Sequence, residues 1–370
     1  MAELGRVRLE DEIDVDEVCS HPRPTRGAMP HRRRPHCIAC GALCLAAILF
    51  LCLMGLNAGP ETPPLLSVAS TIALRHGVQM PQMGMGMGGR LKEEWHGGGA
   101  VAAANDAISV GIRHLDTAQV YGTEDDVGQV VRTCGVPRDA MWVTSKLNNW
   151  HVCTMSFNET IASLNTSLTQ HLGLTHVDLF LLHAPPCGHV IESWRALLHA
   201  RDALGLTRAV GVSNWNVARL EALSHAGYEL PQVVQVEVHP WLPQHGLVDY
   251  CHAHGIAVEA YGPLGPSARW HDARLGVIAD AHGKLPQQVL LRWLLQRGIV
   301  PIFGTHSPKH LRSDVDLYDF ELTADDMREI TQWGANKSAR EYVFHSSQWA
   351  DDDVASCLER LGCAPLLGVP

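Results

Sequence analysis

From about residue 71 onward, apolar residues gather in short runs of β-like composition. The runs lie near 83–87, 112–116, 140–145, 177–182, 208–213, 232–237, 256–261 and 299–303. Between most of them stand stretches with helical spacing, such as "FNETIASLNTSLTQHLG", "VIESWRALLHARDALG" and "SPKHLRSDVDLY". Eight strands with intervening helices over roughly 250 residues suit an α/β fold of the (β/α)8 TIM barrel type better than an open sheet. No Gly-x-Gly-x-x-Gly follows an early strand with an acid about 20 residues on, so a Rossmann domain has little support. The glycine-rich "GMGMGG" at 84–89 lacks that context.

The pattern before residue 71 is different. Residues 37–56, "CIACGALCLAAILFLCLMGL", carry no charge, and the next charge is Glu61. At about 1.5 Å per residue, a helix of that length spans roughly 30 Å, the thickness of a bilayer core. A buried core helix would show a polar face, and a signal peptide would have a shorter charged lead than residues 1–36. The segment is expected to be a single transmembrane helix. Arg23, Arg26, Arg32, Arg33 and Arg34 precede it, whereas the first basic residue after it is Arg75. The positive-inside bias then keeps the N-terminus cytoplasmic and puts the rest of the chain on the luminal or extracytoplasmic side. Sequons at Asn158, Asn165 and Asn336 are compatible with that side. The expected organisation is a disordered tail (1–36), the anchor (37–56), a linker (57–70), a barrel (71–345) and a C-terminal tail (346–370).

Composition narrows the function. The chain has 370 residues, 46% of them hydrophobic, enough for a large core. Its 29 Lys and Arg against 39 Asp and Glu leave a net charge of −10, which argues against nucleic acid as a partner. Of 11 cysteines, Cys19, Cys37, Cys40, Cys44 and Cys52 precede residue 60. Cys37-x-x-Cys40 is half of a metal or redox motif with no second pair at ligand spacing, so no metal site is expected.

In barrels of this type chemistry sits where strands run into their following loops. Asp116 ends the second run, Lys146 the third and His183 the fourth, and Tyr121 lies just beyond Asp116. Singly, each has an ordinary explanation: a turn cap, a solvated lysine, one of 22 histidines. Together, on successive strand ends, they form a proton-transfer set. A tyrosine with a pKa of about 10 is a poor acid at neutral pH. A nearby ammonium favours the phenolate, and an aspartate holds that ammonium in place. A histidine beside the phenol can orient a carbonyl oxygen.

The segments "GIRHLDTAQVYGTEDDVG", "VTSKLNNW", "VDLFLLHAPP", "RAVGVSNWNVARLEAL", "VVQVEVHPWLPQ" and "GIAVEAYGPLG" resemble the aldo-keto reductase family, in order along the chain. The likeness starts at "HGVQMPQMGMG" and ends near residue 323. It implies an NAD(P)H-dependent oxidoreductase that reduces aldehydes or ketones to alcohols without a Rossmann domain. By that likeness Tyr121 is the proton donor, Lys146 its partner, Asp116 the partner of Lys146, and His183 the group that positions the substrate oxygen. A branch that reduces carbon–carbon double bonds carries Glu at that last position; His183 favours carbonyl chemistry. Ser213, Asn214 and Gln235 match the positions that hold the nicotinamide carboxamide. Tyr261 matches the aromatic that stacks on its ring, and Leu264 lies in the loop over the pyrophosphate.

The resemblance also has departures. Where the family clamps the 2′-phosphate of NADP with Lys-Ser and a later Arg, this chain aligns Gly304, Thr305 and His310, so NADP is the expected cofactor with NAD a possibility. Ala184 stands where many members have Trp, Met87 where Thr is usual, and Gly262 where Ser is common. Residues 330–370 do not align with the family's substrate loop, so the small-molecule carbonyl substrate is unspecified. The barrel is expected to be monomeric. An alternative reading is a cofactor-binding regulatory subunit of a membrane protein on the same fold, and another is an idle barrel kept for scaffolding. The anchor motivates the first; the intact set of four argues against both.

Overall fold

Alternation along each apolar run decides the architecture. In the computed structural model, which describes residues 67–88, 98–148, 155–185 and 190–334, two three-residue strands come first. These are β1 (Thr71–Ala73) and β2 (Gln79–Pro81), an antiparallel pair. Eight parallel strands follow: β3 (Gly84–Gly86), β4 (His114–Asp116), β5 (Trp142–Leu147), β6 (Val177–Leu182), β7 (Thr207–Ser213), β8 (Val233–Glu237), β9 (Ala257–Tyr261) and β10 (Ile299–Phe303). They close into a barrel, because β10 pairs with both β9 and β3. Each falls on one of the eight runs expected from the sequence.

Successive residues of a strand face opposite sides. Phe180, Leu182, Val210, Val212, Val234 and Val258 therefore pack outward in the large apolar cluster shared with the helices. Leu179, Leu181, Ala209, Val233, Val300 and Ile302 face inward in a second cluster. The interior changes character along the strands. Towards their C-terminal ends the inward positions become His114, Asp116, Thr144, Lys146, Gln235 and Glu259, all buried. The apolar half supplies the packing; the polar half carries the site.

The β1–β2 hairpin was not among the expected elements. It brings Leu74 and Met80 against Trp142, Leu179, Leu181 and Val300, closing the N-terminal end of the barrel. Its strands, Thr-Ile-Ala and Gln-Met-Pro, precede the first of the β-like runs and are interrupted by Thr71, Gln79 and Pro81. The helix expected at "FNETIASLNTSLTQHLG" forms as Phe157–Thr166, started by a capping box between Ser156 and Glu159. Its last turn-and-a-half, Ser167–Leu172, is π-helical and stops at Gly173 with φ 60. Asn158 and Asn165 are exposed on this helix. The expected tail, transmembrane segment 37–56, most of the linker, Asn336 and residues 346–370 lie outside the described residues. Among the described residues, no helix is long and apolar enough to cross a membrane.

Candidate active site

The loop after β4 is held from three directions. The Thr117 and Thr123 hydroxyls are 2.8 Å apart, and Thr123 donates to the Met87 carbonyl at 2.9 Å. The Gln119 amide donates to the Ser163 carbonyl at 3.1 Å and to Ser167 Oγ at 2.8 Å. Tyr121 closes a short helical turn, and Gly122 follows it at φ 72. This explains why glycine comes directly after the tyrosine: a left-handed residue is needed to leave the turn. On its other face the ring rests on Gly88, where a Cβ would stand 2.3 Å from Tyr121 Cδ2.

The four expected catalytic side chains meet at the C-terminal mouth. Lys146 Nζ donates to Asp116 Oδ1 at 2.5 Å and to the Thr117 carbonyl at 2.9 Å, and lies 3.5 Å from the Tyr121 hydroxyl. His183 Nε2 is 3.3 Å from the same hydroxyl, with the two rings edge to face. Lys146, Asp116 and His183 are buried.

Burial governs their charges. It opposes the Lys146 ammonium, but Asp116 and then Tyr121 outweigh it, so the lysine is held above its ordinary value and stays charged. His183 is pushed well below its ordinary value by burial and by Lys146, so its imidazole is neutral. The expectation that Lys146 leaves the tyrosine below 10 is not met. Burial of the phenol is the largest influence and raises it; Lys146 pulls down, Asp116 pushes up again, and the net direction is upward. The sequence argument weighed the cation alone, without the desolvation that a barrel mouth imposes. Tyr121 therefore rests protonated.

The residues expected to hold a nicotinamide gather on the neighbouring strand ends. Asn214 follows β7 with φ 64, a left-handed conformation asparagine tolerates better than most residues. Its amide donates to the His183 carbonyl at 2.9 Å and to Ser213 Oγ at 3.1 Å, and its Oδ1 accepts from the Tyr261 hydroxyl at 2.8 Å. Tyr261, half-buried at the end of β9, is thus tethered as a flat plate beside Ser213 and Asn214. A planar ring bearing a carboxamide fits such a plate flanked by amide and hydroxyl groups. Leu264, half-buried, accepts from the Trp270 indole at 2.8 Å through its carbonyl. Gly262 has φ 56, so glycine suits the backbone there. Ala184 is buried against the barrel.

The phosphate-clamp positions lie beyond the end of the neighbouring strand, β10. Gly304 and Thr305 follow β10, whose Ile302 pairs with Tyr261 of β9. Gly304 is exposed and Thr305 half-buried. His310 is exposed on the helix Pro308–Asp314, where its backbone N–H caps onto Ser307 Oγ at 3.4 Å. Lys309 and Arg312 are also exposed on that helix.

Two site residues are not singled out by the sequence reading. Gly88 supports the tyrosine ring. Glu259, fully buried in β9, shares the Gln235 amide with Asp116. The signal for Glu259 was present: an acid in "AVEAY", at an inward position of an otherwise apolar strand.

An eight-stranded barrel with a tyrosine, lysine, aspartate and histidine converging on its C-terminal mouth defines a class of oxidoreductase scaffold. The family model described as "Aldo/keto reductase family" matches residues 82–335, and the chain belongs to that family. An aldo-keto reductase of Mycobacterium sp. (strain MCS) is 39% identical over 70% of this chain and 89% of the relative. The glyoxal reductase of Bacillus subtilis is 38% identical over 71% of this chain and 92% of the relative. The 9,11-endoperoxide prostaglandin H2 reductase of Trypanosoma cruzi is 35% identical, covering 72% and 92%. Among solved structures, the Bombyx mori aldo-keto reductase in complex with NADP is similar at 32% identity and TM-score 0.65, covering 72% of this chain and 93% of that one.

Proposed function

We propose that this chain reduces an aldehyde or ketone to the alcohol with a reduced nicotinamide cofactor, with Tyr121 as the acid. The observation that carries the reading is the position of one hydroxyl, 3.5 Å from Lys146 Nζ and 3.3 Å from His183 Nε2. When bound, the cofactor supplies a hydride to the carbonyl carbon. Tyr121 gives its proton to the carbonyl oxygen, so one C–H and one O–H bond form. Lys146, fixed by Asp116 and the Thr117 carbonyl, stabilises the phenolate left behind. His183, neutral, holds the oxygen through Nε2. Ser213, Asn214 and Gln235 are the residues to hold the carboxamide, with Tyr261 against the ring and Leu264 over the pyrophosphate.

For the cofactor we take NADPH, with a narrower margin over NADH than a Lys and Arg clamp gives, because Gly304, Thr305 and His310 offer no fixed cation. The name of one relative, the glyoxal reductase of Bacillus subtilis, supports a small carbonyl substrate. We further infer that residues 37–56 anchor a monomeric barrel to a membrane with the N-terminus cytoplasmic. The charge asymmetry about that segment supports the orientation. Protease protection in sealed vesicles tests it: digestion of the barrel from the cytoplasmic side would overturn it.

The test of the activity uses the full chain in detergent with an aldehyde panel and both cofactors. Tyr121→Phe should bind NADPH as the wild type does and lose at least 100-fold in kcat, about the contribution of a positioned acid. Retention of most of kcat would refute the role of Tyr121. A strong preference for NADPH over NADH would mean that Lys309 or Arg312 supplies the clamp.

A further inference from the structure

Inside the barrel, below the tyrosine, two carboxyl groups share one amide. Gln235 Nε2 donates to Asp116 Oδ2 at 2.8 Å and to Glu259 Oε2 at 2.7 Å. Asp116 spends its other oxygen on Lys146. Gln235 and Glu259 are register partners on β8 and β9, whereas Asp116 reaches them from β4 across the interior. A glutamine amide has two N–H donors and one carbonyl acceptor. Both donors are committed, so what Gln235 has left for a ligand is an acceptor oxygen. A nicotinamide carboxamide, which offers N–H groups, is matched to that oxygen.

The charges around Glu259 do not balance if it is ionised. The groups that face it are His114 and Asp116 from β4, Lys146 from β5 and Gln235 from β8; Tyr121 stands beyond Lys146. From β10 it meets apolar residues around Val300, its register partner. Lys146 is the one cation of that set, and Asp116 already pairs with it. His114, 3.9 Å from Glu259 Oε1, is pressed to about 3 by burial and by Lys146, so it brings no charge at neutral pH. Its Nε2 is engaged with Thr144 Oγ1 at 2.9 Å. Glu259 Oε1 has no hydrogen-bond partner. A second, unpaired carboxylate in this dry interior is costly, and a proton removes the cost. Burial, then Asp116, push the Glu259 carboxyl up to about 8.

We propose that Glu259 is a positioning residue that acts as a neutral carboxylic acid, orienting the Gln235 amide so that its oxygen faces the nicotinamide and its nitrogen steadies Asp116. The proposal rests on the carbonyl-reductase reading for its ligand, but not for its protonation state. When Glu259 ionises, a negative charge enters the floor of the nicotinamide pocket. That charge favours the cationic oxidised ring over the neutral reduced one.

The experiment uses the full chain, its Glu259→Gln and Glu259→Leu variants, and NADPH and NADP+ as probes. Infrared difference spectra of the cofactor-free wild type between pH 6 and pH 10 should contain a protonated carboxylic acid band that is lost with rising pH and is absent from Glu259→Gln. In the wild type, the ratio Kd(NADPH)/Kd(NADP+) should rise by about tenfold through that range, the effect of one charge at roughly 10 Å in an effective dielectric of about 20. In Glu259→Gln the ratio should stay flat. Glu259→Leu frees a buried N–H of Gln235 and should weaken NADPH binding by about tenfold; Glu259→Gln, which keeps an acceptor oxygen, should recover most of that loss. Absence of the acid band, or a Glu259→Gln variant as impaired as Glu259→Leu, overturns the proposal. If Glu259→Leu does not fold, the infrared band and the Glu259→Gln ratio still decide. Failure of the wild type to reduce any carbonyl would sink the functional reading and leave the infrared result standing.

Discussion

Replacing Lys146 with methionine separates the chemistry of the site from its electrostatics. Methionine fills nearly the same volume, so little cavity cost is expected. What is lost is the ammonium that bonds Asp116 at 2.5 Å and Thr117 at 2.9 Å with no exposure to solvent. Asp116, 3% exposed, would keep only the Gln235 amide as a partner. Removing one member of a buried ion pair typically costs about 3–5 kcal/mol, mostly from the charge left behind. Removing both charges, as in Lys146→Met/Asp116→Asn, should cost far less, about 1 kcal/mol, because no uncompensated charge remains. The expected coupling between the sites is then at least about 2 kcal/mol. Urea denaturation of the wild type, Lys146→Met, Asp116→Asn and the double variant, followed by the fluorescence of the buried tryptophans Trp142, Trp194, Trp215, Trp241 and Trp293, measures all four. Both variants that lack Lys146 should lose carbonyl reduction, since the phenolate has lost its cation. A Lys146→Met penalty below about 1 kcal/mol, or a double variant no more stable than the sum of the single losses predicts, would refute this account.

Two further predictions concern single atoms. Gly88→Ala places a methyl 2.3 Å from the Tyr121 ring, so kcat should fall by about 100-fold or more while NADPH affinity changes little; an unaltered kcat would mean that the ring has room to shift. Glu259 should also tilt the pH dependence of stability. Its folded value, about 8, exceeds the ordinary 4.5, so the folded state binds the proton more tightly than the unfolded one. The stabilisation is complete below 4.5 and is lost as pH rises from 4.5 to 8, about 5 kcal/mol in all. Relative to Glu259→Gln, the wild type should therefore lose stability between pH 5 and pH 9 in urea titrations, and parallel curves would contradict a buried, proton-holding acid.

The barrel was legible because its strands fall within eight short β-like runs separated by helical stretches, and that alternation is a local pattern. The meeting of Asp116, Tyr121, Lys146 and His183 was legible because barrel topology puts strand ends on one rim, so their identities at those ends already implied a meeting place. The β1–β2 hairpin was hidden because it lies ahead of the first β-like run and carries Thr71, Gln79 and Pro81 in its strands, and the π-helical end of Phe157–Leu172 by a residue pattern that reads as an ordinary helix. Charge states were a different matter. Whether Tyr121 moves up or down depends on a contest between burial and two neighbours brought in by separate strands. The Asp116–Gln235 bond joins residues 119 positions apart, and Glu259 enters that network only through Gln235. Sequence by itself determined which chemical groups stand at the mouth, because strand pattern and residue type are local properties. Only the tertiary structure decided which of them carry protons, because desolvation and Coulomb interaction depend on what the closed barrel packs around each group.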